Sequence, residues 1–301
     1  MSFQELISAE IGRASGRPFN VRSGREAGGG CIHRALVLEG DGTKWFVKLN
    51  KADALPMFEA ESDGLAALAD ADAFRVPRPL CAGVIGDQAY LVLEHLDLQP
   101  VGERSGDRRK SQWDAIAFGC ALAALHRKSG LCYGWKRDNF IGATPQINME
   151  SESWPRFFAA TRLLPQVKRA AAHGRELQEK GALLAEKLPA FFLDYRPQPS
   201  LLHGDLWHGN AAMCSGMPAI FDPAVYHGDR EADLAMTELF GGFPEAFYAA
   251  YREAWPLAEG YESRKTLYNL YHVLNHLNLF GAGYLRQAER MVDRLLAELR
   301  G

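Results

Sequence analysis

The chain has 301 residues, of which 47% are hydrophobic and 24% charged, a composition typical of a globular protein with a sizeable core. Lys and Arg number 34 against 37 Asp and Glu, so the net charge is only −3. No basic run marks a nucleic-acid-binding segment, and we expect no nucleic-acid partner. A chain of this length forms one large domain or two lobes around a cleft.

The cysteines and the N-terminal segment indicate the compartment. The cysteines are odd in number and contain no C-x-x-C pair, which argues against a disulfide framework or a zinc site and favours a reducing compartment. They are Cys31, Cys81, Cys120, Cys132 and Cys214. The N-terminus lacks a secretory signal, and the longest mostly apolar stretch, 115–125, is shorter than the roughly 20 residues of a membrane span. We expect a cytoplasmic protein without a membrane segment.

The first hundred residues predict one helix at 3–14, then strands interrupted by a second helix at 53–69. The predicted strands are 19–22, 32–38, 44–49, 80–85 and 89–94. Asp41-Gly42 and Gly86-Asp87 are tight-turn pairs between neighbouring strands, so they predict hairpins and an antiparallel sheet.

After the polar stretch 99–110 the pattern is mostly helical, apart from two short strands at 211–214 and 218–221. The predicted fold class is therefore α+β. We expect a nucleotide-binding lobe at 1–95 and a mostly helical catalytic and acceptor-binding lobe at 96–301, with a hinge at about 94–99.

A glycine-rich turn precedes the second predicted strand. Gly28, Gly29 and Gly30 stand there with Cys31 beside them. Glycines let a backbone approach phosphates closely and point its N–H groups at them. An ordinary hairpin loop explains the same residues equally well, so the turn is a candidate phosphate site only in the company of other motifs.

A lysine lies inside an apolar strand. Trp45, Val47 and Leu49 share one face of strand 44–49, and Lys48 lies on the other. Burying a lysine without a partner is costly, so an acidic partner is expected. The following helix offers Glu61 within its apolar stripe, and we predict a Lys48–Glu61 pair. The alternative is that both are ordinary surface charges.

The stretch 203–210, HGDLWHGN, carries Asp205 and Asn210 at the spacing of the H-R-D-L-x-x-x-N catalytic loop of protein kinases. There a carboxylate meets the attacking hydroxyl, while the amide ligates Mg²⁺ beside the phosphates. Asp222 ends a later apolar run, in the place of the metal-binding Asp of D-F-G. A buried histidine with a capping aspartate explains H-G-D alone, but the ordered set with Lys48 and Glu61 indicates a protein-kinase-like two-lobed fold.

The acceptor is predicted to be a small molecule. Protein kinases place a long activation segment and an A-P-E motif after D-F-G. Here helical signals resume by about Glu231, and no A-P-E occurs, so no room remains for a peptide-docking segment. Asp233, at the start of that helix, is expected to brace the catalytic loop.

Further motifs extend over nearly the whole chain. They are 28–32 (GGGCI), 46–50 (FVKLN), 57–61 (MFEAE), 94–96 (EHL), 139–146 (NFIGATPQ), 202–210 (LHGDLWHGN), 222–224 (DPA), 238–244 (ELFGGFP) and 274–281 (LNHLNLFG). Together they resemble the fructosamine kinase (ketosamine 3-kinase) family, a branch of the aminoglycoside-phosphotransferase-like kinases. The Trp207 variant of the loop and the GGFP motif are specific to this family.

The resemblance implies ATP- and Mg²⁺-dependent phosphorylation of the 3-hydroxyl of a free or protein-bound ketosamine, which frees the amine in deglycation. It also implies site roles. Asp205 is the base, Asn210 and Asp222 hold Mg²⁺, Lys48 with Glu61 positions the phosphates, and the turn 28–31 with Glu94 and Leu96 at the hinge meets the nucleotide.

The acceptor side is less defined. Trp207 either stacks on the acceptor or packs within its lobe, and His208 borders the predicted acceptor site. Asn275 and Asn278 share a helix face with His276 beside them, and such polar groups either line the sugar pocket or belong to the core. Near the glycine turn, His33 contacts phosphate or faces solvent, and Cys31 is either a packing residue or an oxidisable thiol.

Two other functions remain open from the sequence. One is a kinase of the same fold for an aminoglycoside or choline-like acceptor, and the other is a catalytically silent nucleotide-binding scaffold. The intact Lys48, Asp205, Asn210 and Asp222 argue against the scaffold. The assembly is expected to be a monomer or a homodimer.

Overall fold

The structure is a computed structural model that describes residues 2–27, 34–101 and 108–300. The chain begins with helix α1 (Phe3–Ser15), whose first turn is closed by a capping box. Ser2 Oγ accepts from the Glu5 N–H, and the Glu5 carboxylate accepts from the Ser2 N–H. The apolar face of α1 packs against the sheet that follows.

The next strands are β1 (Ser23–Ala27), β2 (Arg34–Gly40), β3 (Thr43–Lys51), β4 (Pro79–Ile85) and β5 (Gln88–Glu94). Within the described residues they form a five-stranded antiparallel sheet in the order β1-β2-β3-β5-β4. The predicted turns are present, since Asp41, Gly42 and Gly86 all have the positive φ that tight turns require. In this strand order β3 is the central strand of the sheet.

The strand predicted at 19–22 is wrong, because the first strand begins only at Ser23. Among the described residues β1 lies at the sheet edge and pairs only with β2, so most of its side chains face solvent and show no apolar pattern. The apolar residues that suggested a strand, Phe19 and Val21, pack beside α1 instead.

Helix α2 (Leu55–Asp70) connects β3 to β4 and carries Glu61. Its apolar stripe of Phe58, Leu65 and Leu68 is fully buried. Pro56 in the first turn suits the helix start, because a proline there loses no helical hydrogen bond. The packing of this stripe aims Glu61 at the sheet.

The rest of the chain is mostly helical. Its strands and helices are β6 (Leu98–Gln99), α3 (Arg108–His126), β7 (Asn139–Ile141), β8 (Thr144–Gln146), α4 (Trp154–Phe157), α5 (Leu164–Arg169), α6 (Arg175–Lys187), β9 (Ser200–Leu202), β10 (Ala211–Cys214), β11 (Met217–Ile220), β12 (Tyr226–Gly228), α7 (Glu231–Leu239), α8 (Glu245–Ala254), α9 (Tyr261–Phe280) and α10 (Leu285–Glu298). β10 pairs with β11 and β6, β9 with β12, and β7 with β8. The α+β class is confirmed.

One apolar core joins the sheet and α2 to the helical part of the chain. Phe58 and Leu91 share this core with Phe118 of α3 and Phe247 of α8. The backbone of Arg75, after α2, also exchanges hydrogen bonds with β11. Because this packing crosses residue 95, the division into lobes 1–95 and 96–301 stays a prediction.

Candidate active site

Lys48, Glu61 and Asp222 meet inside the protein. Lys48 is 5% exposed, and its Nζ lies 2.6 Å from Glu61 Oε1 and 2.5 Å from Asp222 Oδ1. Burial by itself lowers the pKa of Lys48, but Asp222 and Glu61 outweigh it, so the pKa is raised and the ammonium stays charged. The neighbouring Glu59 turns outward toward Arg137 instead.

The catalytic loop is held by a buried aspartate. Asp233 Oδ2 accepts from the His203 N–H at 2.7 Å, and its Oδ1 accepts from the Gly204 N–H at 2.9 Å. His126 Nε2 lies 3.2 Å from the same carboxylate. Gly204 has a φ of 81°, and a Cβ there would lie 2.1 Å from the Ala224 carbonyl oxygen. Asp233 braces the loop, as expected from the sequence.

Asp205, in the same loop, has a carboxyl group whose pKa is raised. Burial, then the negative charges of Asp222 and Asp233, raise its pKa to about 7. Asn210 opposes this shift, because its Nδ2 lies 3.4 Å from Asp205 Oδ2. A carboxylate with a pKa near neutrality is suited to take a proton from a hydroxyl.

The residues present fit a magnesium ion. Asn210 Nδ2 donates to the Asp205 carbonyl at 2.9 Å, which leaves the amide oxygen as its potential metal ligand. The Asp222 side chain is 46% exposed at the same place. Among the described residues no group of three or more His, Cys, Asp or Glu could hold a metal. Mg²⁺ needs no such cage, since it binds one or two carboxylates together with phosphates and water.

A cavity of about 590 Å³ lies between the sheet and the residues after β5. Val37, Phe46 and Leu93 form an apolar wall, and the predicted hinge residues Glu94 and Leu96 also line it. Arg75 holds the Glu94 carboxylate by an ion pair. Lys48 and Asp222 are also among its lining residues. An apolar slot that contains a lysine and an aspartate suits a nucleotide base with its phosphates.

A second cavity of about 540 Å³ lies on the other side of the same pair. Lys48 and Asp222 line it too, together with Asp205. Three of the five acceptor candidates are among its other lining residues: Trp207, Asn275 and His276. Asn275 is fixed by hydrogen bonds to Gln166 and to the Ile141 carbonyl. Lys48 and Asp222 therefore lie where the two cavities meet, and Asp205 lies in the second cavity.

The structure places the other two acceptor candidates elsewhere. His208 is exposed, is not among the lining residues, and its ring contacts Trp207 edge-on at 4.8 Å between centroids. Asn278 donates to the Gln166 carbonyl and side-chain oxygens at 3.1 and 2.8 Å, and it too is not among the lining residues. Residues three apart on a helix differ by 60° in direction, which turns Asn278 toward α5 and away from the cavity.

The glycine-turn predictions lie outside the described residues. Gly28, Gly29, Gly30, Cys31 and His33 belong to this group. Their proposed contacts with phosphate, and the oxidation of Cys31, stay predictions.

Sequence reasoning missed several cavity residues. The hairpin β7–β8 contributes Asn139, Phe140 and Gly142 to the lining, and α9 contributes His272. Burial, and then the neighbouring His276, lower the pKa of His272 to about 3, so its imidazole is neutral. The motif at 139–146 was the available signal, but a sequence does not show which cavity a hairpin reaches.

The family of the chain follows from its similarity to known proteins. The fructosamine kinase family model matches residues 3–298. The chain belongs to the fructosamine kinase family. It is 45% identical over 294 residues to a probable ketoamine kinase of Synechocystis, covering 97% of this chain and 96% of that protein. It is 39% identical over 279 residues to the chloroplastic protein-ribulosamine 3-kinase of Arabidopsis thaliana, covering 91% and 82%.

Solved structures agree with the family. A Haemophilus somnus protein named as a fructosamine-3-kinase superposes with a TM-score of 0.85, at 28% identity and with 96% of each chain covered. A thermostable mutant of the aminoglycoside phosphotransferase APH(4)-Ia, crystallised with ADP and hygromycin B, superposes with a TM-score of 0.63 at 16% identity, covering 100% of this chain and 98% of that one. That likeness concerns the fold alone. The protein-kinase-like fold predicted from the sequence is confirmed.

Proposed function

We propose that the protein is an ATP- and Mg²⁺-dependent kinase that phosphorylates the 3-hydroxyl of ketosamines. The main support is that Lys48 and Asp222 line both cavities, whereas Asp205 lines only the second. We call this second cavity, which Trp207, Asn275 and His276 also line, the acceptor cavity. A nucleotide in one cavity and an acceptor in the other would meet at these three residues. The names of the relatives support a ketosamine as the acceptor.

The chain's own residues have distinct tasks in this reaction. Lys48, held by Glu61, pairs with the phosphates and orients them. Asp205 accepts a hydrogen bond from the attacking hydroxyl and takes its proton as the bond to phosphorus forms. Asn210 and Asp222 would hold Mg²⁺, which neutralises charge on the transferred phosphoryl group when bound. The reaction moves the γ-phosphoryl group from ATP to the sugar oxygen and leaves ADP.

The acceptor cavity suits a polyol better than a polycationic antibiotic. Its carboxylates are Glu61, Asp205 and Asp222, and two of these already contact Lys48. The other polar groups that α9 presents to this cavity are uncharged: Asn275 is an amide, and burial lowers the pKa values of the His272 and His276 imidazoles. Neutral donors and acceptors bind hydroxyl groups, whereas an aminoglycoside calls for further carboxylates.

The test is ADP release in the presence of MgATP with a panel of acceptors: ribulose-lysine, erythrulose-lysine, fructose-lysine, kanamycin and choline. We expect turnover with at least one ketosamine, a ³¹P signal coupled to the proton on carbon 3, and later release of free lysine and phosphate. Turnover with kanamycin or choline alone would assign the chain to another acceptor class. ADP binding without turnover of any acceptor would favour the silent scaffold.

The compartment and the assembly stay predictions. None of the helices within the described residues combines the length and the apolar character of a membrane span. We propose the cytoplasm because the cysteines form no disulfide or zinc pattern. A monomer or a homodimer is the proposed assembly, and light scattering of the purified protein distinguishes the two.

A further inference from the structure

The hairpin β7–β8 holds the backbone that follows Asp222. Its end residues Asn139 and Gln146 are paired in register, and both are buried, at 6% and 2% exposure. Asn139 Nδ2 donates to the Val225 carbonyl at 2.7 Å, and Gln146 Nε2 donates to the Ala224 carbonyl at 3.1 Å. Two successive carbonyl groups just beyond Asp222 are thus fixed by two side-chain amides.

Asp222 needs this support because its backbone is strained. Its φ is 56°, in the left-handed region that residues other than glycine rarely adopt. Such a conformation persists only where the surrounding structure enforces it. The Phe221 N–H donates to Asn210 on one side, and the Ala224 N–H donates to His203 on the other. The side-chain amides of Asn139 and Gln146 add hydrogen bonds to the carbonyl groups of Val225 and Ala224.

Gln146 also reaches the wall of the acceptor cavity. The Tyr271 hydroxyl donates to Gln146 Oε1 at 2.7 Å. Tyr271 belongs to α9, the helix that presents His272, Asn275 and His276 to the acceptor cavity. The buried amide of Gln146 therefore connects α9 to the segment that carries Asp222.

The amide of Gln146 has no unused polar atom. Its nitrogen donates to the Ala224 carbonyl and to Asn139 Oδ1 at 2.8 Å, while its oxygen accepts from Tyr271. A fully paired buried network fixes geometry that apolar packing leaves loose. Partners that orient the ligands of a metal influence its affinity strongly, even though they do not touch it.

We propose that Gln146 is a positioning residue that orients the Asp222 carboxylate for Mg²⁺ and links the Asp222 segment to α9 through Tyr271. The proposal rests on the proposed function in that Asp222 is taken as a metal ligand. It predicts that the chain loses metal affinity when the amide of Gln146 is removed, although Gln146 contacts neither metal nor nucleotide.

The test measures Mn²⁺ binding to the ADP complex by electron paramagnetic resonance, which needs no acceptor. Gln146→Met keeps the length of the side chain and removes its hydrogen bonds, and we expect the Mn²⁺ Kd to rise about 10-fold. Tyr271→Phe leaves the Gln146 amide in place and removes its bond to α9, together with the contact between the hydroxyl and Gln166, and we expect a rise on the order of 3-fold. The Mg²⁺ concentration for half-maximal turnover should rise in the same order.

The control is Tyr268→Phe, one turn earlier on α9. It removes a buried hydroxyl that bonds Asp229 at 2.5 Å and Trp154 at 3.0 Å. We expect a lower melting temperature but wild-type Mn²⁺ binding. A Mn²⁺ Kd that rises in proportion to the loss of stability in all three variants would make the role of Gln146 merely structural and overturn the proposal.

Other outcomes of these experiments also test the proposal. Folded Gln146→Met protein with wild-type Mn²⁺ affinity overturns the proposal. If Gln146→Met is not recovered folded, Tyr271→Phe decides by the same criterion. Wild-type protein that binds Mn²⁺ with ADP but phosphorylates no ketosamine would contradict the proposed function without contradicting the role of Gln146 in metal binding. Wild-type protein that binds no Mn²⁺ with ADP would overturn both.

Discussion

Lys48 Nζ and Asp222 Oδ1 lie 2.5 Å apart, although the two residues are separated by 174 positions in the chain. The contact joins the central strand of the sheet to the segment after β11, and both residues line both cavities. It brings a positive charge to the place where phosphoryl transfer would occur. The consequences of this arrangement can be tested residue by residue.

Lys48→Met should damage both catalysis and folding. We expect kcat/KM to fall on the order of 10²–10³-fold, because the phosphates lose a preorganised positive charge. Glu61, whose side chain is 9% exposed, would be left buried without its partner, at a cost of about 3–5 kcal/mol. Steady-state kinetics and urea unfolding measure the two effects. Lys51→Met, an exposed change on the same strand, is the control, and equal effects in both variants would contradict the assignment.

Asp205→Asn should separate chemistry from nucleotide binding. The amide cannot take the proton of the attacking hydroxyl, so we expect kcat to fall on the order of 10²–10⁴-fold. The affinity for ADP, measured by calorimetry without acceptor, should stay within about 3-fold of wild type. Asp194→Asn, an exposed change, should leave both quantities unaltered. A kcat close to that of wild type would remove Asp205 from the role of base.

The raised pKa of Asp205 also predicts how stability depends on pH. Because the folded pKa is about 7 and the unfolded value is 3.8, the folded protein binds more protons between these limits. Stability should therefore fall as pH rises from about 4 to 7, and Asp205→Asn should remove this loss. We expect the variant to exceed wild type at pH 8 by on the order of 1–3 kcal/mol in metal-free buffer, with the gap closing near pH 4.

Melting scans of both proteins across that range, with a chelator present, test the pH prediction. The chelator matters because a bound cation would lower the pKa of a neighbouring carboxylate. A gap that is constant over the whole range would show that Asp205 is not the titrating group.

Asp233→Ala should destabilise the loop without altering any group that touches substrate. It leaves the N–H groups of His203 and Gly204 buried without acceptors, and we expect a loss of about 3–5 kcal/mol. Chemical unfolding measures it. Asp293→Ala, which removes an exposed ion pair with Lys180, is the matched control and should leave the unfolding midpoint in place. A midpoint shift of equal size in both variants would contradict a bracing role.

The sequence by itself determined the features that depend on local pattern. Alternation and turn pairs placed β3 and its hairpins, and the apolar stripe of α2 singled out Glu61 over Glu59 because only one of them shares the buried face. The offset from Asp205 to Asn210 identified the kinase loop, since one short loop must carry both groups. Local pattern failed at β1, where an edge strand faces solvent on both sides and needs no apolar alternation.

Tertiary structure alone decided which distant residues share a cavity. Asn275 and Asn278 look equivalent in sequence, but the packing of α9 against α5 turns only Asn275 into the acceptor cavity. The 139–146 motif gave no hint that its amides hold the carbonyls after Asp222. Such contacts arise from how separate elements pack on one core, and a one-dimensional pattern does not record the distance between elements that are far apart in the chain.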